Sequence, residues 1–171
     1  MVKIPLDYVC VKSGVLCPRC QLLVDSGRVQ SFEVDIMRAL IELEESGLRN
    51  LKDAVYHKSY KEGDLLVIVM EFKTKISPHE LVRLAKNLSN KLGLKVKIVN
   101  KSSDVKQIAA SLLYPARILG INTVWLPDGS THYVIRIPRS DSRILQNNRE
   151  IYERILSQII GQEVEIRIGE I

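Results

Sequence analysis

Long apolar runs are missing from this chain of 171 residues: its longest strongly apolar stretch, Leu65 to Met70, is only strand-sized. A bilayer-crossing helix needs roughly 20 apolar residues, so a membrane span is not expected. Met1 to Tyr8 place Lys3 and Asp7 around Pro5 and offer no apolar core of signal-peptide length, which points to a cytoplasmic location. Aromatic residues are scarce as well: one Trp, six Tyr and two Phe. Platforms on which nucleic-acid bases could stack are therefore few, and Trp125, between Val124 and Leu126 in an apolar strand, reads first as core or strand-edge packing. The chain lacks a Ser/His/Asp order, an obvious pair of catalytic acids and a Gly-x-x-x-x-Gly-Lys phosphate loop. A non-enzymatic role is expected.

Cysteine is sparse and unevenly placed. All three cysteines, Cys10, Cys17 and Cys20, fall within the first 20 residues, an odd and clustered set that argues against a secreted disulfide framework. The two-residue spacing of Cys17-Pro18-Arg19-Cys20 lets both thiolates reach one tetrahedral metal, with Cys10 close enough to add a third. A structural zinc knuckle is the functional reading; unligated buried thiols or a dithiol redox pair are the alternatives. A closed site wants four ligands. The remaining soft candidates are His57, His79 and His132, of which His57 could fold back, and the fourth ligand stays open.

What is present is a globular composition, 46% hydrophobic, with a modest net charge of +5 that is distributed in blocks. From Asp25 to Glu71 ten acids face six bases, whereas from Lys73 to Lys101 eight bases face Glu80 alone. The positive charge forms a patch, read either as a solvated face or as a phosphate-attracting surface.

The hydrophobic periodicity repeats. After residues 1–28, which show no clear amphipathic period, Ser31 opens a helix with Phe32, Ile36, Leu40 and Leu43 on one face, ended by Gly47. Two strand-like stretches, Ala54 to Tyr60 and Leu65 to Phe72, flank Lys61-Glu62-Gly63-Asp64 as a hairpin. Ser77 caps the next helix, Pro78 suits its first position, Glu80 completes a capping box, and Gly93 stops it. Lys95 to Val99 alternates as a strand. The order then recurs: a helix from Ser103 ended by Pro115, a hairpin of Ile118 to Leu126 and Thr131 to Ile137 around Pro127-Asp128-Gly129-Ser130, a helix capped by Asn147 and stopped by Gly161, and a strand closing at Ile168. The expected class is α/β (α+β), organised as a Cys-containing segment at 1–28 and two modules at 29–101 and 102–171.

Ser103-Asp104, Leu112-Leu113-Tyr114-Pro115-Ala116-Arg117-Ile118 and the strand end from Ile135 to Pro138 resemble the junction and second module of archaeal NusA-like transcription factors. With the repeat order, the resemblance implies two tandem type II KH modules over residues 30 to 168, single-stranded RNA as ligand, and RNA polymerase or a ribonucleoprotein complex as partner. Modules of this kind clamp a nucleic-acid backbone with a Gly-x-x-Gly loop, where glycine permits close approach and positive φ. This chain departs from that pattern, with Lys75-Ile76-Ser77-Pro78 and Gln146-Asn147-Asn148-Arg149 at the two loop positions. Candidate contacts are Lys75, Arg83, Lys86 and Lys91 in the first module, and Arg139, Arg143, Asn147, Asn148 and Arg149 in the second. The alternative is an adaptor that keeps the fold and binds protein instead of RNA.

Overall fold

The computed structural model describes residues 1–145 and 148–169. The fold is mixed α/β and divides into two compact units, Met1–Lys101 and Ser102–Ile171. In the first unit, helices α1 (Tyr8–Ser13), α2 (Pro18–Asp25) and α3 (Ser31–Glu45) precede strands β1 (Val55–Glu62) and β2 (Leu65–Glu71), helix α4 (Pro78–Leu92) and strand β3 (Lys95–Asn100). In the second, α5 (Val105–Leu113), β4 (Gly120–Trp125) and β5 (Thr131–Ile137) lead through a 3-10 stretch at Arg139–Leu145 to α6 (Arg149–Ile160) and β6 (Glu163–Ile168).

Each unit holds a three-stranded mixed sheet of the same construction. The middle strand pairs antiparallel with its predecessor across a hairpin and parallel with the strand that follows the helix, in the orders β1-β2-β3 and β4-β5-β6. A parallel neighbour requires a crossover, and α4 and α6 supply it. Both helices end alike: Gly93 (φ 70°) and Gly161 (φ 82°) take the left-handed conformation that glycine reaches without a Cβ penalty. Four residues before each glycine a serine braces the exit, the Ser89 hydroxyl donating to the Leu94 carbonyl and the Ser157 hydroxyl accepting from the Val164 amide.

Local signals set α4 as its sequence demands. The Ser77 hydroxyl accepts from the Glu80 amide at 3.3 Å and the Glu80 carboxylate accepts from the Ser77 amide at 2.9 Å, satisfying two donors that a helix start leaves orphaned. Leu81, Leu84, Ala85 and Leu88 then bury one face. Helix α3 starts at Ser31, where its sequence opens a helix. Gln30 is the cap, because the Glu33 side chain reaches back to the Gln30 amide at 2.6 Å.

Glu33 ties α3 to β1. It is 2% exposed, and one carboxylate oxygen accepts from the Tyr56 hydroxyl (2.8 Å) and the Ser59 amide (3.1 Å) while the other holds Gln30. In a regular strand Tyr56 and Ser59 would point to opposite faces. A bulge between Tyr56 and Lys58 inserts one residue into β1, so the alternation resets and both side chains turn inward toward the carboxylate. Their hydroxyls also lie 2.6 Å apart, which closes the network.

Residues 1–28, whose sequence shows no clear period, form two short helices that join the first unit's core. Val2, Leu6, Cys10, Val11 and Cys20 pack in the same cluster as Ile36, Leu40 and Met70. Lys3 adds a parallel bridge beside Val55, donating to the Ala54 carbonyl and accepting from the Tyr56 amide. No helix among the described residues is long and apolar enough to cross a membrane.

Replacing Glu33 by Ala strands the Ser59 amide and the Tyr56 phenol in the core, frees the Gln30 amide at the helix start, and should cost about 3 kcal/mol or more in urea unfolding, against about 1 kcal/mol for Tyr56→Phe. A second, half-buried group makes stability depend on pH. Burial lowers the pKa of Lys97 on β3 to about 8. Between pH 8 and the ordinary value near 10.5 the unfolded chain carries the extra proton, so stability should rise with pH across that window. Lys97→Met should be the more stable protein at pH 7, by on the order of 2 kcal/mol, with the difference shrinking as the pH approaches 10.5.

Candidate metal centre

Four donor side chains converge at the start of the chain. Asp7 caps α1, Cys10 lies on that helix, Cys17 caps α2, and Cys20 sits in its first turn. Their ligand atoms all lie within 4.8 Å of one another. A tetrahedron with metal–sulfur bonds of about 2.3 Å has edges of about 3.8 Å, so modest contraction would bring all four onto one ion. The cluster could hold a metal ion.

The local backbone explains the convergence. Gly14 ends α1 in the left-handed conformation (φ 79°), which any Cβ would strain, and the chain returns so that Pro18 can start α2. Backbone amides then aim at sulfur: Cys17 N–H donates to Cys10 Sγ and Asp7 N–H to Cys20 Sγ, each at 3.2 Å. These donors would stabilise thiolates. Arg38 Nε donates to the Val11 carbonyl at 3.0 Å, and Lys12 pairs with Glu45, so α1 is held on α3 from two sides.

Charge is graded across the site. Cys10 and Cys20 are buried, Cys17 is half-buried and Asp7 is exposed. The Arg19 guanidinium donates to Asp7 Oδ1 at 2.6 Å and, with the Cys17 thiol at 3.3 Å from Oδ2, holds the Asp7 carboxyl below the usual carboxylate range. The Cys20 backbone amide, followed by the Cys20 side chain, lowers the Cys17 thiol. Burial pushes Cys20 up to about 11. A metal ion would have to displace the Cys20 proton as it binds.

Asp7 is a donor that the cysteine spacing does not announce. Histidine is the residue type that sequence suggests for a fourth ligand, yet His57 lies on β1 with its Nε2 3.1 Å from Glu71, and His132 lies on β5 beside Glu163 and Glu165. His79 sits in the first turn of α4, outside the cluster. The signal that points to Asp7 is its interval of three from Cys10, which puts both side chains on one side of a helical turn.

The candidate nucleic-acid contacts are distributed over both units. Lys75 lies in the loop after β2, with Ser77 and Pro78 already committed to the start of α4; Arg83 and Lys86 lie on that helix, and all three cations are exposed. Lys91, on the same helix, is engaged with Glu42 at 3.0 Å. In the second unit Arg139 and Arg143 lie exposed on the 3-10 stretch, Asn148 caps α6, and Arg149 begins it, 3.4 Å from Glu153. Gln146 and Asn147, including the cap expected from Asn147, lie outside the described residues. Trp125 is not in the core: it is 75% exposed on the edge strand β4.

No family model matches the chain, and no curated protein is similar to it. Among solved structures, one titled "Crystal structure of APE1850" is similar, with 24% identity, coverage of 61% of this chain and 79% of that chain, and a TM-score of 0.44.

Removing the carboxylate tests the donor set. Asp7→Ala should weaken binding of a divalent metal, read by competition with a chromophoric chelator, more than Arg19→Ala, whose outer-shell loss should cost about 10- to 100-fold. Equal affinity in wild type and Asp7→Ala would place the fourth ligand elsewhere.

Proposed function

We propose that the chain is a non-enzymatic RNA-binding factor of the NusA-like kind, built from two KH-like modules and braced by a structural zinc centre, acting in cytoplasmic transcription or another RNA-centred assembly. The observation that supports it is the duplication. Helix, strand, strand, helix, strand occurs twice, with identical strand order, identical pairing directions and the same serine-braced glycine exit from the crossover helix. A tandem module of this kind offers an extended surface for a single strand.

Zinc suits the N-terminal donors. Three thiolates and a carboxylate within tetrahedral reach match its preference for sulfur with nitrogen or oxygen ligands. A dithiol redox pair needs only two sulfurs, and the convergence of Asp7 and Cys10 on Cys17 and Cys20 favours metal over redox chemistry. Metal would order two helices of six and eight residues, too short to persist alone.

One observation favours the adaptor reading for the first unit. Pro78 has no amide, and the Ser77 amide is taken by Glu80, so the loop before α4 has lost two of the four backbone donors with which a glycine loop would clamp a phosphate. RNA would meet this unit through side chains. Arg83 and Lys86, exposed and without an ion pair among the described residues, are the cations to remove. Arg83→Glu with Lys86→Glu should weaken binding to single-stranded RNA for every sequence. The plot of log affinity against log salt should flatten by about 0.7 for each phosphate no longer neutralised. Unchanged affinity and slope would assign the first unit to protein contacts.

A further inference from the structure

The edge strand β4 lacks the features that keep sheet edges apart. From Ile118 to Pro127 there is no charged residue, and Leu119, Val124, Trp125 and Leu126 are 51%, 41%, 75% and 40% exposed. Exposed edges in stable proteins usually carry a lysine, an inward charge or a mid-strand proline against unwanted pairing. Here Arg117 and Asp128 flank the strand and nothing charged interrupts it.

The ladder fixes what this edge offers. Leu126 N–H donates to the Ser130 carbonyl at 3.0 Å, in register with the Trp125–Thr131 pair, so Leu126, Val124, Asn122 and Gly120 turn their backbone groups toward β5. Ile121, Thr123 and Trp125 therefore present their N–H and C=O groups to the open side, where no strand pairs with them among the described residues. These three also share one face of the sheet.

We propose that β4 pairs antiparallel with β4 of a second copy of this chain, joining two three-stranded sheets across a two-fold axis at Thr123. A perpendicular two-fold makes residues pair when their numbers are symmetric about the axis. Thr123 meets its own copy, and each Trp125 meets the other copy's Ile121. Both are favourable combinations, a threonine pair and an aromatic against a β-branched side chain. About six backbone hydrogen bonds would form. The uncharged strand puts no like charges opposite each other, although each chain carries +5. A second copy is favoured over nucleic acid as the occupant, because Ile118 to Pro127 carry no cation with which to hold a phosphate backbone. The contact is a single strand pair, smaller than a standard interface, so the association is expected to be weak and concentration-dependent.

Trp125 is the only tryptophan, so its fluorescence reports this strand alone. From about 1 to about 200 µM, sedimentation should show the chain passing from one to two copies, with Trp125 emission moving to the blue in step and returning on dilution. Thr123→Lys places two ammonium groups across the axis at an exposed position and should weaken dimerisation about tenfold or more with an unchanged melting curve. Leu22→Lys, at another exposed apolar position, should leave it intact. A chain that stays single over this range overturns the proposal, as does a dimer with unshifted Trp125 emission or one that survives Thr123→Lys. A blue shift seen only on adding single-stranded RNA would likewise overturn it and assign the strand to base stacking.

Discussion

A single buried carboxylate sets the geometry of the first unit. Burying a charge is costly unless every lone pair finds a donor, and Glu33 finds them in three places at once: its own helix start, a strand amide and a phenol. Satisfying all three requires α3 to sit at one height above β1, and requires β1 to bulge so that Tyr56 and Ser59 face the same way. The helix so placed is the platform for the rest. Its buried face carries Ile36, Met37 and Leu40, and its exposed acids meet Lys12 from α1 and Lys91 from α4.

The cysteine-containing segment depends on that platform and adds to it. Two short helices cannot form by propensity alone, and here they are held by burial of Cys10, Val11 and Cys20 and by the hydrogen bond from Arg38. The same packing that buries two sulfurs leaves Asp7 and Cys17 toward solvent, so the cluster has a dry side and a wet side. Arg19 stands over the wet side. Its charge offsets an anionic donor set and orients the Asp7 carboxylate.

The two units share one strand topology and carry different surfaces. In the first, the stretch after β2 carries Lys75 and runs directly into a capped helix on which Arg83, Lys86 and Lys91 lie. In the second, a 3-10 stretch with Arg139 and Arg143 intervenes before Arg149, so the cations lie on the approach to the helix. Strand pairing preserves the frame because backbone ladders tolerate side-chain change. The stretch before the crossover helix carries no ladder and is free to diverge.

Local chemistry was legible in the residues themselves. The Ser77-Pro78-x-Glu80 start and Gly93 stop of α4, the Pro127-Asp128-Gly129-Ser130 turn and the Cys17–Cys20 spacing act over four residues or fewer, and each took the form its sequence demands. The mixed class and the two-fold repetition followed from the apolar periods of α3, α4 and the strands. The interval of three between Asp7 and Cys10 hinted at a carboxylate donor, but tertiary structure alone decided that Asp7 meets all three cysteines where a histidine was expected, that Glu33 is buried, that Lys97 is desolvated and that Trp125 stands in solvent. Residue type sets what a side chain can do within a turn of its own backbone. Which distant groups surround it depends on how helices and strands pack, and on a single bulge that reverses which face a side chain occupies.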